Sequence, residues 1–515
     1  MKTKLVRWNG VVLALAVGLL SATARGESDV ETLKRQFEEL KANFDRTVAE
    51  QRKIIETLQQ RVDQLQAQTP PAVQTAAPAA TPQPVSEAET TLQKPWSPSD
   101  PIRVGKGSAY MDIGVVATFV AGSSTADDIK SLELGGHDPN QRGFTVQGVE
   151  LNLRGAVDPY FTANVNTLFQ IDSDGETVTE LEEAWVQTMS LPYNLTVRGG
   201  QFFTEFGRIN TQHLHSWGFV DVPLVNGRFL GPDGLRNPGA QLSWLAPTPF
   251  YSEIFFSVQN SQGETAYSFR GDSHGHDDEE ESGVPFTYRH ADNDRGVSTL
   301  GDMLYTVHLA TSFDLTDNQV LLLGASAAFG PNNNGESGDT CTQIYGVDMT
   351  WKWKSPNAHG GFPFVAWQTE AMLRRYDAGA FDWTEVADEG ETPIVDENTG
   401  DPAVLSRETL TDYGFYTQLL WGFRKGWVAG MRLDYVTGKE GDYEKMNLSY
   451  DGSELGRDPA RNERWRLSPN LTWYPSEFSK IRLQYNYDDR RDIGCDHSVW
   501  LQFEFLLGAH AAHKF

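Results

Sequence analysis

A chain of 515 residues with 43 Lys and Arg against 70 Asp and Glu carries a formal charge of -27, which excludes a nucleic-acid backbone as partner. Two cysteines exclude a disulfide-stapled scaffold. A mean hydropathy of -0.45, with no apolar run near the ~20 residues of a spanning helix, excludes a helical membrane bundle.

At the N-terminus Lys2, Lys4 and Arg7 precede an apolar run over residues 11–20, and Ala22-Thr23-Ala24 has the small-x-small pattern of a signal-peptidase site. Residues 1–24 are therefore expected to be a signal peptide. Removing those three basic residues takes the charge from -27 to -30, so the exported protein is strongly acidic. Over residues 25–68, Leu33, Phe37, Leu40 and Phe44 follow 3-4 spacing, and after a four-residue slip Val48, Gln51, Ile55, Leu58, Val62 and Leu65 resume it. This pattern predicts a periplasmic coiled coil with one stutter, about 60 Å long at ~1.5 Å per residue. A solitary amphipathic helix is the alternative, and Gln51 in the seam either sets register or is simply tolerated. Residues 69–103 are rich in Pro, Ala, Thr and Gln, the composition of an extended spacer.

From residue 104 to 515 the pattern changes to a period of two. Ile481, Leu483, Tyr485 and Tyr487 share one face, and Arg482, Gln484, Asn486 and Asp488 the other. Trp465, Leu467, Leu471 and Trp473 alternate likewise with Arg464, Arg466, Ser468, Asn470 and Thr472. About sixteen such segments begin near residues 107, 144, 159, 178, 193, 238, 251, 302, 318, 340, 362, 411, 426, 461, 479 and 497. Connections from even to odd segments are tight, among them Asp158-Pro159, Pro247-Thr248-Pro249, Pro356-Asn357-Ala358 and Arg424-Lys425-Gly426. Those from odd to even are long: 119–143, 204–237, 261–301, 377–410 and 440–460. This alternation predicts an all-β transmembrane barrel of about 16 antiparallel strands in the outer membrane of a Gram-negative-type cell, with outer-membrane lipid against its apolar face.

The segment Glu182-Glu183-Ala184-Trp185-Val186-Gln187, the run over residues 195–207 containing Gly200-Gln201-Phe202-Phe203, the exported coiled coil and the terminal Phe515 together resemble trimeric porins of the phosphate-selective type. The resemblance covers about half the chain. It implies a homotrimer, and a loop after the Gly-Gln-Phe segment that folds into the lumen as a constriction. The chain departs from the pattern after residue 507, where Gly-Ala-His-Ala-Ala-His-Lys-Phe makes a long tail. His-rich outer-membrane proteins of this look are sometimes labelled zinc-regulated energised receptors. No room for a plug domain and a strand count short of ~22 argue against carrying energised transport over.

Arg154, Arg198, Arg374, Arg432, Arg464, Arg466 and Arg482 fall on polar faces, against Glu150, Asp172, Glu370, Asp434 and Asp488. Either they form a guanidinium wall that admits small polar or anionic solutes, or they pair and fill the lumen structurally. The 204–237 loop is the candidate constriction, because Trp217, Phe219, Val220, Leu224, Val225, Phe229 and Leu230 must pack against a wall or a neighbouring subunit. Glu205, Arg208, His213, His215, Asp221 and Arg228 are then its polar groups.

His274, His276, Asp277, Asp278 and Glu279 place two imidazoles among carboxylates, a donor set for weak capture of zinc or a similar divalent metal, or else a solvated acidic loop. No other cofactor is expected. His213/His215 and His510/His513 are weaker metal candidates, and Cys341 and Cys495 either pair or stay free. No catalytic constellation stands out, so an enzyme is not expected. The function expected is passive diffusion of small solutes. The alternatives are a tether reaching the cell wall through the coiled coil, and metal uptake through the His-rich loops.

Overall fold

The computed structural model describes residues 102–508 apart from 173–174, 272–283, 292–295, 337 and 389–391. The expected signal peptide, the coiled coil, nearly all of the spacer and the metal candidates His274, His276, Asp277, Asp278 and Glu279 lie outside the described residues, as do His510 and His513.

Sixteen strands close on themselves. In chain order they are β1 (Ala109–Ser124), β2 (Gly143–Ala156), β3 (Phe161–Ile171), β4 (Thr177–Thr188), β5 (Leu195–Phe203), β6 (Arg236–Leu245), β7 (Tyr251–Asn260) and β8 (Met303–Thr316). The second half comprises β9 (Gln319–Pro331), β10 (Cys341–His359), β11 (Phe362–Ala378), β12 (Glu408–Arg424), β13 (Trp427–Gly438), β14 (Arg464–Ser476), β15 (Ser479–Arg490) and β16 (Gly494–Gly508). Each pairs antiparallel with the next, and β16 pairs back onto β1 from Gly114↔Gly508 to Ser124↔Ser498. Every start lies within three residues of the position read from the period-two pattern.

The tight and long connections alternate as the turn chemistry requires. One tight turn moves: β10 runs through Pro356 to His359, and the chain reverses at Gly360 and Gly361, with φ of 58° and 89°. Two adjacent residues at positive φ suit a two-residue hairpin, and Gly-Gly adopts that geometry without the Cβ clash an Asn-Ala pair would meet.

A short strand, Ile102–Lys106, lies along β1 from Ala109 to Ile113, just beyond the place where β16 leaves it. It covers β1 backbone groups that would otherwise form an open edge, which lipid does not tolerate. Gly508 sits at the junction with φ of 92°, and a Cβ there would come within 2.3 Å of the Ile113 carbonyl oxygen.

The outward face carries exposed apolar side chains such as Leu242, Ile254, Val347, Leu419, Leu483 and Phe505, with Trp427 and Trp473 stacked 5.9 Å apart near the turn end. In water such a band would be a large apolar patch; in a bilayer it is the lipid contact. On the long-loop side, Ile394–Asp396, Asp401–Pro402, Leu448–Tyr450 and Ser453–Leu455 form a second, four-stranded sheet. Tyr288, Trp383, Leu405 and Tyr443 pack beneath it in a hydrophobic cluster of their own. The loops therefore build a cap. Their apolar residues are spread over three loops, so no single loop shows the periodicity that would announce it.

Candidate functional site

The loop between β5 and β6, residues 204–235, runs inside the barrel. Its short helix α1 (Leu224–Leu230) is buried at all seven positions. Trp217, Phe219, Val220, Leu224, Val225, Phe229 and Leu230 are at most 9% exposed. Trp217, Leu224, Val225, Phe229 and Leu230 pack with Ile344, Met372, Tyr416 and Val436 of the barrel's own wall, and Val220 with Val120 and Trp500. Burying each such side chain contributes ~1.5–3 kcal/mol, which is what draws an otherwise polar loop inward.

Polar anchors hold the loop from several sides. Asp221 accepts hydrogen bonds from Arg432 Nη2 at 2.8 Å, Arg466 Nη1 at 2.6 Å, Gln484 Nε2 at 2.8 Å and Asn486 Nδ2 at 2.9 Å. Arg482 donates to the Phe219 and Trp217 carbonyl oxygens, both at 2.8 Å, and Lys480 to that of His215 at 2.8 Å. From the facing wall Ser326 of β9 accepts from the Gly207 N–H at 2.9 Å, and Glu370 of β11 from the Ile209 N–H at 2.8 Å. His213 contacts Glu182 at 3.1 Å and Glu183 at 3.3 Å, and His215 contacts Glu150 at 3.0 Å.

The arginines read as pore-lining divide into two groups. Arg374, Arg432, Arg464, Arg466 and Arg482 are 0–3% exposed. Arg374 pairs with Asp412, Arg432 with Asp221 and Asp434, Arg464 with Asp488, and Arg466 with Asp221, Glu133 and Asp488, all within 2.5–2.8 Å. Arg154 is exposed, while Arg198 and Arg208 are half-buried. Arg198 lies over the Trp185 ring at 4.6 Å and 3.9 Å from Glu205. Cys341 and Cys495 are free thiols, both exposed.

A second loop, residues 125–142, brings groups the sequence reading passed over. Glu133 reaches Arg466, and the Asp138 carboxylate accepts from the Val222 N–H at 2.9 Å. His137 stands within 3.9 Å of Glu180, Glu182 and Asp233. The faint signal for this approach is Gly135-Gly136 just before His137: a Cβ at Gly136 would come within 2.1 Å of Asp233 Oδ1.

Burial alone would lower the pKa of His137, but the carboxylates of Glu180, Asp233 and Glu182 outweigh it and lift the pKa to about 9. A folded value above the unfolded ~6.5 means the stabilisation, on the order of 3 kcal/mol, is complete below about pH 6.5 and lost as pH rises through about 9. In EDTA, His137→Asn should therefore lower the barrel's melting temperature most at pH 6, with the deficit closing by about pH 10. A deficit that does not change with pH would rule out the charged imidazole as its source.

Against the two loops lies a chamber of about 630 Å³, lined by Lys130, Arg228, Arg464, Arg490 and Arg491 and by Glu133, Glu180, Asp233, Glu264 and Glu463 among others. Arg228 Nη1 donates to the Asn462 carbonyl oxygen at 2.7 Å. Among the described residues no carboxylate forms an ion pair with Arg228. Burial and the neighbouring cation of Arg464 both press its pKa down, although a nearby Asp412 opposes them.

A closed barrel of sixteen antiparallel strands, apolar outside and holding one loop across its lumen, has the architecture of a porin-like outer-membrane protein. No protein-family model matches the chain. It belongs to the same family as an uncharacterized protein of Aquifex aeolicus (strain VF5), 32% identical over 425 residues that make up 77% of this chain and 78% of the relative. Among solved structures, similarity extends to the outer membrane channel DcaP of Acinetobacter baumannii, with 12% identity and a TM-score of 0.43 over 78% of this chain and 99% of that one. It extends also to OmpT of Vibrio cholerae in its trimer form, with 6% identity and a TM-score of 0.42 over 78% of this chain and 100% of that one.

Proposed function

We propose that this protein is an outer-membrane porin for passive diffusion of small polar or anionic solutes, working as a homotrimer. The observation that carries the reading is Arg228, a buried guanidinium that lines an open chamber and has no carboxylate paired to it among the described residues. A guanidinium stays charged at any physiological pH, so a solute anion that reaches the chamber meets a donor fork whose charge is not already neutralised. The infolded loop narrows the path, and Arg154, Arg198 and Arg208 keep contact with water elsewhere on the inward side. Both features favour small solutes over large ones.

The test is reversal potential in planar bilayers across a KCl gradient. The wild type should prefer anions, and inorganic phosphate should lower its chloride current. Arg228→Glu, which changes the local charge by two, should move the reversal potential toward cation preference. A protein that conducts nothing, or a selectivity indifferent to Arg228→Glu, would defeat the proposal.

A further inference from the structure

Beneath the outer chamber, His137 of the 125–142 loop, Glu180 of β4 and Asp233 of the infolded loop aim one ligand atom each at a common point, all within 4.8 Å of one another. His137 Nε2 is 3.9 Å from Glu180 Oε2, which also accepts a hydrogen bond from Arg236 Nη2 at 2.6 Å, and 3.7 Å from Asp233 Oδ1. A hydrogen bond would bring such atoms to 2.7–3.2 Å, so these contacts are too long to be hydrogen bonds. They match the spacing of donors around a shared ion about 2.0–2.3 Å from each.

Two further observations point to a ligand. Asp233 Oδ1 is buried and has no hydrogen-bond partner among the described residues, which costs free energy unless a ligand takes it up. The other ring nitrogen of His137, Nδ1, lies 3.0 Å from Gln170 Oε1, and Gln170 Nε2 donates to Glu180 Oε1 at 3.3 Å. An amide oxygen accepting from Nδ1–H leaves Nε2 as the ring atom directed at the carboxylates, the arrangement that orients a metal-binding imidazole, and an entering ion would displace the Nε2 proton. A cavity of about 30 Å³ adjoins the cluster, room for an ion and a bound water.

The neighbouring group of Glu150, Glu182 and His213 carries no such argument. Both ring nitrogens of His213 already contact carboxylates at hydrogen-bond distance, so it reads as a satisfied ion pair.

We infer that His137, Glu180 and Asp233 form a binding site for one borderline divalent metal ion of the zinc class. One imidazole with carboxylates suits Zn²⁺ and its neighbours better than Ca²⁺, which takes six to eight oxygens. Glu182 Oε1, 3.9 Å from His137 Nε2, stands ready as a further donor. Bound there, the ion staples both inner loops to β4, reinforcing the hydrogen bond from the Gly136 N–H to the Pro232 carbonyl oxygen at 3.1 Å.

The experiment is titration of the EDTA-stripped, full-length protein in detergent with Zn²⁺ against a competing chelator, and with Co²⁺ read by its visible absorption. One tight Zn²⁺ per chain is expected, weakened at least about tenfold by His137→Ala and by Asp233→Asn, and retained in the His274→Ala/His276→Ala double variant. Asp233→Asn keeps the side chain's shape, so it carries the test if His137→Ala does not fold. Zinc binding that ignores both substitutions, binding lost only with His274 and His276, or a Co²⁺ spectrum of the hydrated ion would each overturn the assignment.

Discussion

Replacing Asp221 with alanine should free the infolded loop and raise single-channel conductance several-fold, while lowering the barrel's resistance to heat. Its carboxylate is fully buried and receives four side-chain donors from three strands, two of them guanidiniums. Removing one partner of a buried pair costs ~3–5 kcal/mol, because the charge left behind is uncompensated. Here Arg432 retains Asp434, and Arg466 retains Asp488 and Glu133, so the wall keeps its charge balance better than the loop does. The loop loses its central anchor, and water enters where Asp221 stood. Asp221→Asn should be milder in conductance, since the amide keeps an acceptor for Arg432. Unchanged conductance in Asp221→Ala, with the melting temperature also unchanged, would mean the apolar contacts alone hold the loop.

Replacing residues 205–234 with a short Gly-Ser turn should give a still larger effect: roughly a tenfold rise in conductance with weaker anion preference, because Arg228 leaves with the loop. The substitution is geometrically modest. Phe203 and Arg236 are register partners across β5 and β6, so a few residues close the hairpin without moving either strand. Every barrel strand keeps both neighbours, and the ladder that makes the wall is untouched. The cleared lumen exposes Arg374, Arg432 and Arg466 together with their partners Asp412, Asp434 and Asp488, and Arg482 loses the loop carbonyls it now binds. Conductance and reversal potential in planar bilayers check both halves. A small change in current would place the narrowest point in the cap formed by the other long loops.

The barrel was legible because its rules are local. Alternation along β13, β14 and β15 follows from the side-chain period of a strand, and turn residues such as Lys425-Gly426 announce reversals within a few positions. The moved turn at Gly360-Gly361 shows the margin: Pro356 is itself a turn signal, and the longer strand is established only once β11 is seen pairing back to His359↔Phe362.

The candidate site was half legible. Composition alone marked the 204–237 stretch, since a solvated loop has no use for Trp217, Phe219 or Phe229, and it identified Asp221 and Arg228 as polar groups among them. Which partners they meet was closed to it. Asp221 and Arg466 are 245 positions apart, and His137 and Asp233 come from different loops, so no window of sequence holds either pair.

By itself, then, the sequence determined the strand count, the side of each long loop and the face that meets lipid, because period and turn chemistry are properties of neighbouring residues. Only the tertiary structure decided that most inward-facing arginines bind the protein's own loop, that among the described residues no carboxylate pairs with Arg228, and that three loops share a cap. Those outcomes depend on which distant charges and apolar groups meet once the barrel has closed, and closure is set by the whole chain.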